Sequence, residues 1–180
     1  MSRSTLTVSF FVFIFMLSAC SSPWNVIREA KPNPFGESSQ FKAMQVDFSK
    51  LQFDGDPQSL DQKKFKADKS FMARDFQRAL LNGMRGKGVK IFTGKAVPNI
   101  FVIRPMMIYI NPGSQNDNSK SKLKVQLLKN NKILDVITFE VETKPEPSKN
   151  NTMSVSGRMR SDGQKLGELV AKYLIKRLGK

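Results

Sequence analysis

Residues 99–113 read NIFVIRPMMIYINPG, and this run decides the fold. Phe101, Ile103, Met107 and Tyr109 alternate along one side of an extended chain, and Ile100, Val102, Met106, Ile108 and Ile110 along the other. A strand that is apolar on both sides has to be covered on both sides, so the run predicts a strand inside a layered domain. Two residues interrupt it. Pro105 has no N–H to give to a ladder, which predicts an edge strand or a bulge. Arg104 stands on an otherwise apolar face. Either its stem lies along apolar surface while its head reaches water or a carboxylate, or it contacts a protein partner at the sheet edge.

Downstream, residues 121–144 read SKLKVQLLKNNKILDVITFEVETK. Leu123, Val125 and Leu127 alternate with Lys122, Lys124 and Gln126, and after Asn130 and Asn131 the pattern returns with Ile137, Phe139 and Val141 against Thr138, Glu140 and Glu142. This is a hairpin with one apolar and one charged face, on which lysines oppose glutamates. Upstream, FKAMQVDF (41–48) predicts a half-buried strand with Met44, Val46 and Phe48 inward. Residues 63–88 place Phe65, Met72, Phe76 and Leu80 on one helical stripe that ends near Asn82, Gly83, Gly86 and Gly88. VKIFTG (89–94) reads as a short strand.

Beyond the hairpin, KPEPSKNNT (144–152) is a loop and TMSVSGRMR (152–160) a short strand with Arg158 and Arg160 on one side. Ser161 and Gln164 have the spacing of a capping box and open a last helix, on which Leu166, Leu169, Val170, Tyr173, Leu174 and Leu178 keep the period. Lys172, Lys176, Arg177 and Lys180 crowd its C-terminal end, where they suit the helix dipole or form a patch for anionic lipid. The order is strand, helix, strand, strand, hairpin, helix. It predicts an α+β two-layer sandwich: a mainly antiparallel sheet of about five strands with two helices on one face.

The N-terminus carries a different signal. Arg3 is followed by LTVSFFVFIFML (6–17), an uncharged stretch of signal-peptide length, shorter than the roughly 20 residues that span a bilayer. Ser18 and Ala19 lead into Cys20, the one cysteine of the chain. LSAC, residues 17–20, resembles the lipobox of bacterial lipoproteins, which implies a diacylglycerol on the Cys20 thiol and cleavage just before it. Residues 1–19 are then a signal peptide, 20–40 a proline-containing tether and 41–180 a single domain. Within the tether Trp24, Val26 and Ile27 form a small apolar group that either dips into the membrane interface or folds back on the domain as an edge contact. With Ser at position 21, the resemblance implies an outer-membrane destination facing the periplasm.

The net charge is +15, and Arg3 is the only charged residue before Cys20. Such a balance points to polyanions, and export replaces nucleic acid by lipid headgroups, lipopolysaccharide phosphates or wall polymers. Simple solubilisation accounts for the charge equally well. With no histidine in the chain, Ser/His/Asp and Cys/His catalysis and the commonest zinc sites are excluded. The acidic residues form no glycosidase-like signature. No cofactor, metal or nucleic acid is expected.

The lipobox, FVIRPMMIYINPG, the hairpin and the ending GRMRSDGQKLGELVAKYLIKRL together resemble a family of uncharacterised proteobacterial lipoproteins. More distantly the architecture is similar to periplasmic accessory lipoproteins that activate penicillin-binding proteins or serve lipid transporters. The resemblance implies a non-enzymatic envelope protein that binds the membrane through Cys20 and an envelope protein as its partner, with Arg104 as the candidate contact. The alternative is a binder of anionic glycolipid, phospholipid or wall polymer through Arg158, Arg160, Lys172, Lys176 and Arg177.

Overall fold

The structure, a computed structural model, describes residues 22–36, 40–55, 61–93, 99–114, 116–147 and 152–179. Cys20 and the signal segment lie outside them. Strands β1 (Trp24–Arg28), β2 (Gln40–Ala43) and β3 (Gln52–Phe53) precede helix α1 (Gln62–Met84). Then come β4 (Lys90–Phe92), β5 (Phe101–Asn111), β6 (Ser119–Lys129), β7 (Lys132–Thr143) and helix α2 (Val155–Leu178). The class is α+β with two helices, as the sequence predicts. The sheet has seven strands in the order β1-β7-β6-β5-β2-β4, with β3 also on β5. It is mixed: β1·β7, β6·β7 and β5·β6 are antiparallel, whereas β2 and β3 on β5 and β4 on β2 are parallel.

The hairpin forms as its pattern requires. Asn130 and Asn131 both take positive φ (49° and 61°), the backbone of the tight turn whose twist matches the flanking strands. Leu123, Val125, Leu127, Ile137, Phe139 and Val141 are all buried, and Lys120–Glu142 and Lys122–Glu140 pair across the outer face at 3.9 and 3.6 Å.

β5 lies inside the sheet, not at its edge. The missing N–H of Pro105 is nonetheless tolerated, because β2 ends at Ala43 and β3 resumes only opposite Tyr109. The last ladder bond of β2 is Met44 N–H to the Ile103 carbonyl (2.9 Å), and beyond it only Asp47 bridges, giving its N–H to Pro105 O and taking the Met107 N–H. Proline thus faces a gap in the ladder. This also corrects the reading of residues 41–48: the chain leaves the sheet after four residues, Phe41 and Ala43 point inward, and Met44 is exposed. A bulge between Met107 and Tyr109 exchanges the sides of Tyr109 and Ile110, so that Ile110 is buried and Tyr109 gives its hydroxyl to Asp54.

α1 is capped by Asp61, which accepts from the N–H groups of Lys63 and Lys64, and buries Met72, Phe76 and Leu80 as expected. Phe65 of the same stripe rests on Phe53, ring centroids 4.6 Å apart. α2 starts seven residues earlier than the Ser161 box predicts. Ser154 is its cap, taking the Gly157 N–H at 3.0 Å, and residues 155–160 are helical, not a strand. The two helices run parallel and very close. A Cβ on Gly163 would come within 2.5 Å of Met72 O, one on Gly167 within 2.3 Å of Phe76 O, and one on Gly83 within 2.6 Å of the Ala171 Cβ. Both helices join the inward faces of β5, β6 and β7 in one core.

Candidate functional site

The segment read as a tether is built into the domain. β1 pairs with β7, and Trp24 packs edge-on to Tyr173 (centroids 5.7 Å) and beside Phe139. A buried carboxylate holds the rest. Asp135, with no exposed surface, accepts from the Ala30 N–H (2.8 Å), the Tyr173 hydroxyl (2.9 Å) and two nitrogens of Arg177 (2.8 and 3.3 Å). Arg177 also reaches Ala30 O and stands over the Phe35 ring, and Asn33 gives its amide to Arg177 O. Phe35 is itself fully buried against Phe41 and Phe101. No apolar periodicity marks residues 24–35, because a single edge strand and a few side-chain anchors, rather than a repeated face, dock them. Burial and the bond to Asp135 push the Tyr173 hydroxyl well above its ordinary range, so it remains a donor.

The cations proposed from the sequence are not brought together. Arg158 is fully buried on α2. Its guanidinium gives all its bonds to backbone carbonyls, those of Pro112, Gly113 and Ser114 on one side and of Thr152 and Met153 on the other. Arg160 bonds Asp75 on α1 at 2.7 Å. With Arg177 held by Asp135, the anion site expected from Arg158, Arg160 and Arg177 is not assembled. Each of these guanidiniums closes a contact inside the fold. Lys172 and Lys176 are exposed, one turn apart on α2, and Lys176 Nζ lies 5.9 Å from the Trp24 ring.

Arg104 lies mid-strand on the face of the sheet away from the helices, correcting its expected place at a sheet edge. It is half-exposed, opposite Gln126, with Val102, Met106 and Ile108 along the same side of β5 and Lys124 opposite Met106. The face is apolar as predicted, but neighbouring long side chains rather than a second layer screen it. Among the described residues the Arg104 side chain has no hydrogen bond or ion pair.

A second buried carboxylate, Asp162, accepts from the hydroxyls of Ser121 (2.7 Å) and Thr143 (2.5 Å) beneath the far end of the sheet. Burial pushes its carboxyl above the ordinary range, against the hydroxyls of Thr143, Ser121 and Ser119 and the charge of Lys165. A carboxyl raised on folding binds its proton more readily folded than unfolded, so its ionisation costs stability at neutral pH, and that cost is relieved as pH falls through the folded pKa. Wild type should therefore gain stability relative to Asp162→Asn as pH falls from neutral toward the ordinary carboxylate range. Urea unfolding at several pH values checks this; a gap independent of pH would refute it.

Among the described residues no group of three or more acidic or thiol side chains could hold a metal ion, and no helix is long and apolar enough to cross a membrane. Fold and site together define a small α+β domain whose N-terminal segment is clamped to its edge and whose outer sheet face carries Arg104. No family model and no curated protein matches the sequence. Solved structures that it resembles include the hypothetical protein CT253 from Chlamydia trachomatis, at 11% identity and TM-score 0.49 over 79% of this chain and 99% of that one. Protein XCC0632 from Xanthomonas campestris, of the family DUF330, aligns at 12% identity and TM-score 0.47 over 83% and 91%. A minor lipoprotein from Acinetobacter baumannii aligns at 11% and 0.45 over 77% and 94%.

Proposed function

We propose that this chain is a lipid-anchored, non-enzymatic accessory protein of the bacterial envelope, held in the outer membrane through Cys20 and binding an envelope protein with its outer sheet face. The observation that carries the partner surface is Arg104: a half-exposed cation without a side-chain acceptor among the described residues, set among Val102, Met106 and Ile108. Arginine, with tryptophan and tyrosine, is enriched at the energetic centre of interfaces. The lipobox-like LSAC supports the anchor. The binder of anionic polymer is the weaker reading, since three of its five cations are engaged inside the fold.

Cys20→Ala should abolish labelling by radioactive fatty acid and leave unprocessed precursor in the membrane fraction; normal labelling would remove the anchor. For the partner face, a photo-crosslinking residue at Gln126 should trap one envelope protein in intact cells. Arg104→Glu, folded by circular dichroism, should weaken that association by about thirtyfold, the loss of one interfacial hot spot. Unchanged trapping in the variant would remove the face as the contact.

A further inference from the structure

The clamped N-terminal segment fixes how the domain meets its membrane. Only residues 21–23 separate Cys20 from β1, and four residues span at most about 14 Å. A domain tied so closely cannot stand off; the edge bearing Trp24 is carried to the bilayer. β1 is the outermost strand of the sheet, and its Val26 and Ile27 are 40% and 58% exposed. Arg28, Lys31, Lys172 and Lys176 are exposed along the same segment and the helix beside it. Of the carboxylates around this edge, Asp135 is taken by Arg177, Tyr173 and Ala30, Glu29 by Arg177 at 3.6 Å and Tyr173, and Glu140 by Lys122 at 3.6 Å, while Glu168, one turn before Lys172, accepts from Gln164 and is outnumbered by the four cations. The charge left facing outward is positive.

We propose that the domain lies edge-down on anionic lipid, with Arg28, Lys31, Lys172 and Lys176 over the headgroups and Val26 and Ile27 between them. The proposal rests on the anchoring through Cys20. It deepens that reading by giving the domain one orientation: the sheet stands on its β1 edge, and the face bearing Arg104 points sideways along the membrane, open to a neighbour.

Trp24 is the only tryptophan of the chain and sits on this edge, so it serves as the probe. The full lipoprotein is placed in vesicles of phosphatidylcholine with or without phosphatidylglycerol, each carrying lipids brominated near the headgroup. Trp24 emission is then compared with that of Ile27→Trp and Phe92→Trp, both in a Trp24→Phe background; Phe92 lies on β4 at the opposite edge. Quenching is expected at positions 24 and 27 but not at 92. It should fall by at least about half in uncharged vesicles, in high salt, or with Lys172→Glu and Lys176→Glu together, each lysine at an anionic surface being worth about fivefold in association. Quenching at 24 without 27 would mean that the domain stands on its end, and equal quenching at 92 that it has no fixed orientation; either overturns the proposal. Quenching that vanishes as protein is crowded on the vesicle would assign the edge to a second copy. Intact mass separates the two readings: unlipidated Cys20 removes the anchor and this proposal together, whereas lipidated protein with Trp24 unquenched removes this proposal alone.

Discussion

Arg158→Lys is expected to destabilise the domain by about 3 kcal/mol or more, comparable to breaking a buried charged contact. The guanidinium of Arg158 spans two chain segments that nothing else in the described residues joins so directly: the carbonyls of Pro112, Gly113 and Ser114 after β5, and those of Thr152 and Met153 before α2. Lysine offers three donors at one point where arginine offers five in a plane, so it cannot serve both segments. The carbonyls of Pro112 and Thr152 that it leaves are buried, and each such unsatisfied group costs about 1–3 kcal/mol. Burial lowers the Arg158 pKa, countered by the charges of Asp162 and Asp117, and the group stays charged throughout the accessible pH range. Thermal unfolding of the purified protein should show a midpoint roughly 10 °C lower. A shift of only a degree or two would mean that water or rearranged backbone replaces the clamp.

Gly167→Ala should also destabilise, by about 2 kcal/mol, although alanine is the better helix former by about 1 kcal/mol. The sign is decided by the neighbour. An added Cβ meets Phe76 O at 2.3 Å, Ala79 Cβ at 2.9 Å and Leu80 N at 3.0 Å, and two of these three atoms are backbone that cannot rotate away. The helices must part, which loosens Met72, Phe76 and Leu80 in the core behind them. Gly36→Ala is the matched control, since nothing lies within 4 Å of the added atom; its effect should stay within about 0.5 kcal/mol. Urea midpoints of the two variants test the pair. A neutral or stabilising Gly167→Ala would show that the helix contact is softer than its spacing indicates.

What the sequence made legible follows from what repeats. The β6–β7 hairpin and the stripe of α1 were readable because alternation and helical period recur over many residues, and Asn130-Asn131 supplies the turn. Features resting on single contacts were not. β1 has five residues and one inward ring, Trp24, so nothing in it distinguishes a strand from a tether. The early start of α2 was hidden by Gly157, which weakens helical propensity, and by the capping-box spacing of Ser161 and Gln164 further on. Within residues 41–48 Val46 is buried and Phe48 packs on the core as expected, but Met44 is exposed, because the strand ends at Ala43 where the ladder meets Pro105 and one alternation no longer runs through. Of the candidate site residues, charge alone identified the arginines. Whether an arginine faces solvent or five carbonyls depends on loops distant in sequence, which leave no local mark.

The clamp on the N-terminal segment also orders the assembly of the fold. Ala30 meets Asp135 across 105 residues and Asn33 meets Arg177 across 144, so the strand made first can dock only after nearly the whole chain is in place. Until then the outer edge of β7, with Ile137 and Phe139 along it, is open to any extended chain. β1 is therefore a stopper as well as a strand. Once docked it moves the open edge outward, from the buried-core strand β7 to a five-residue strand bearing Arg28.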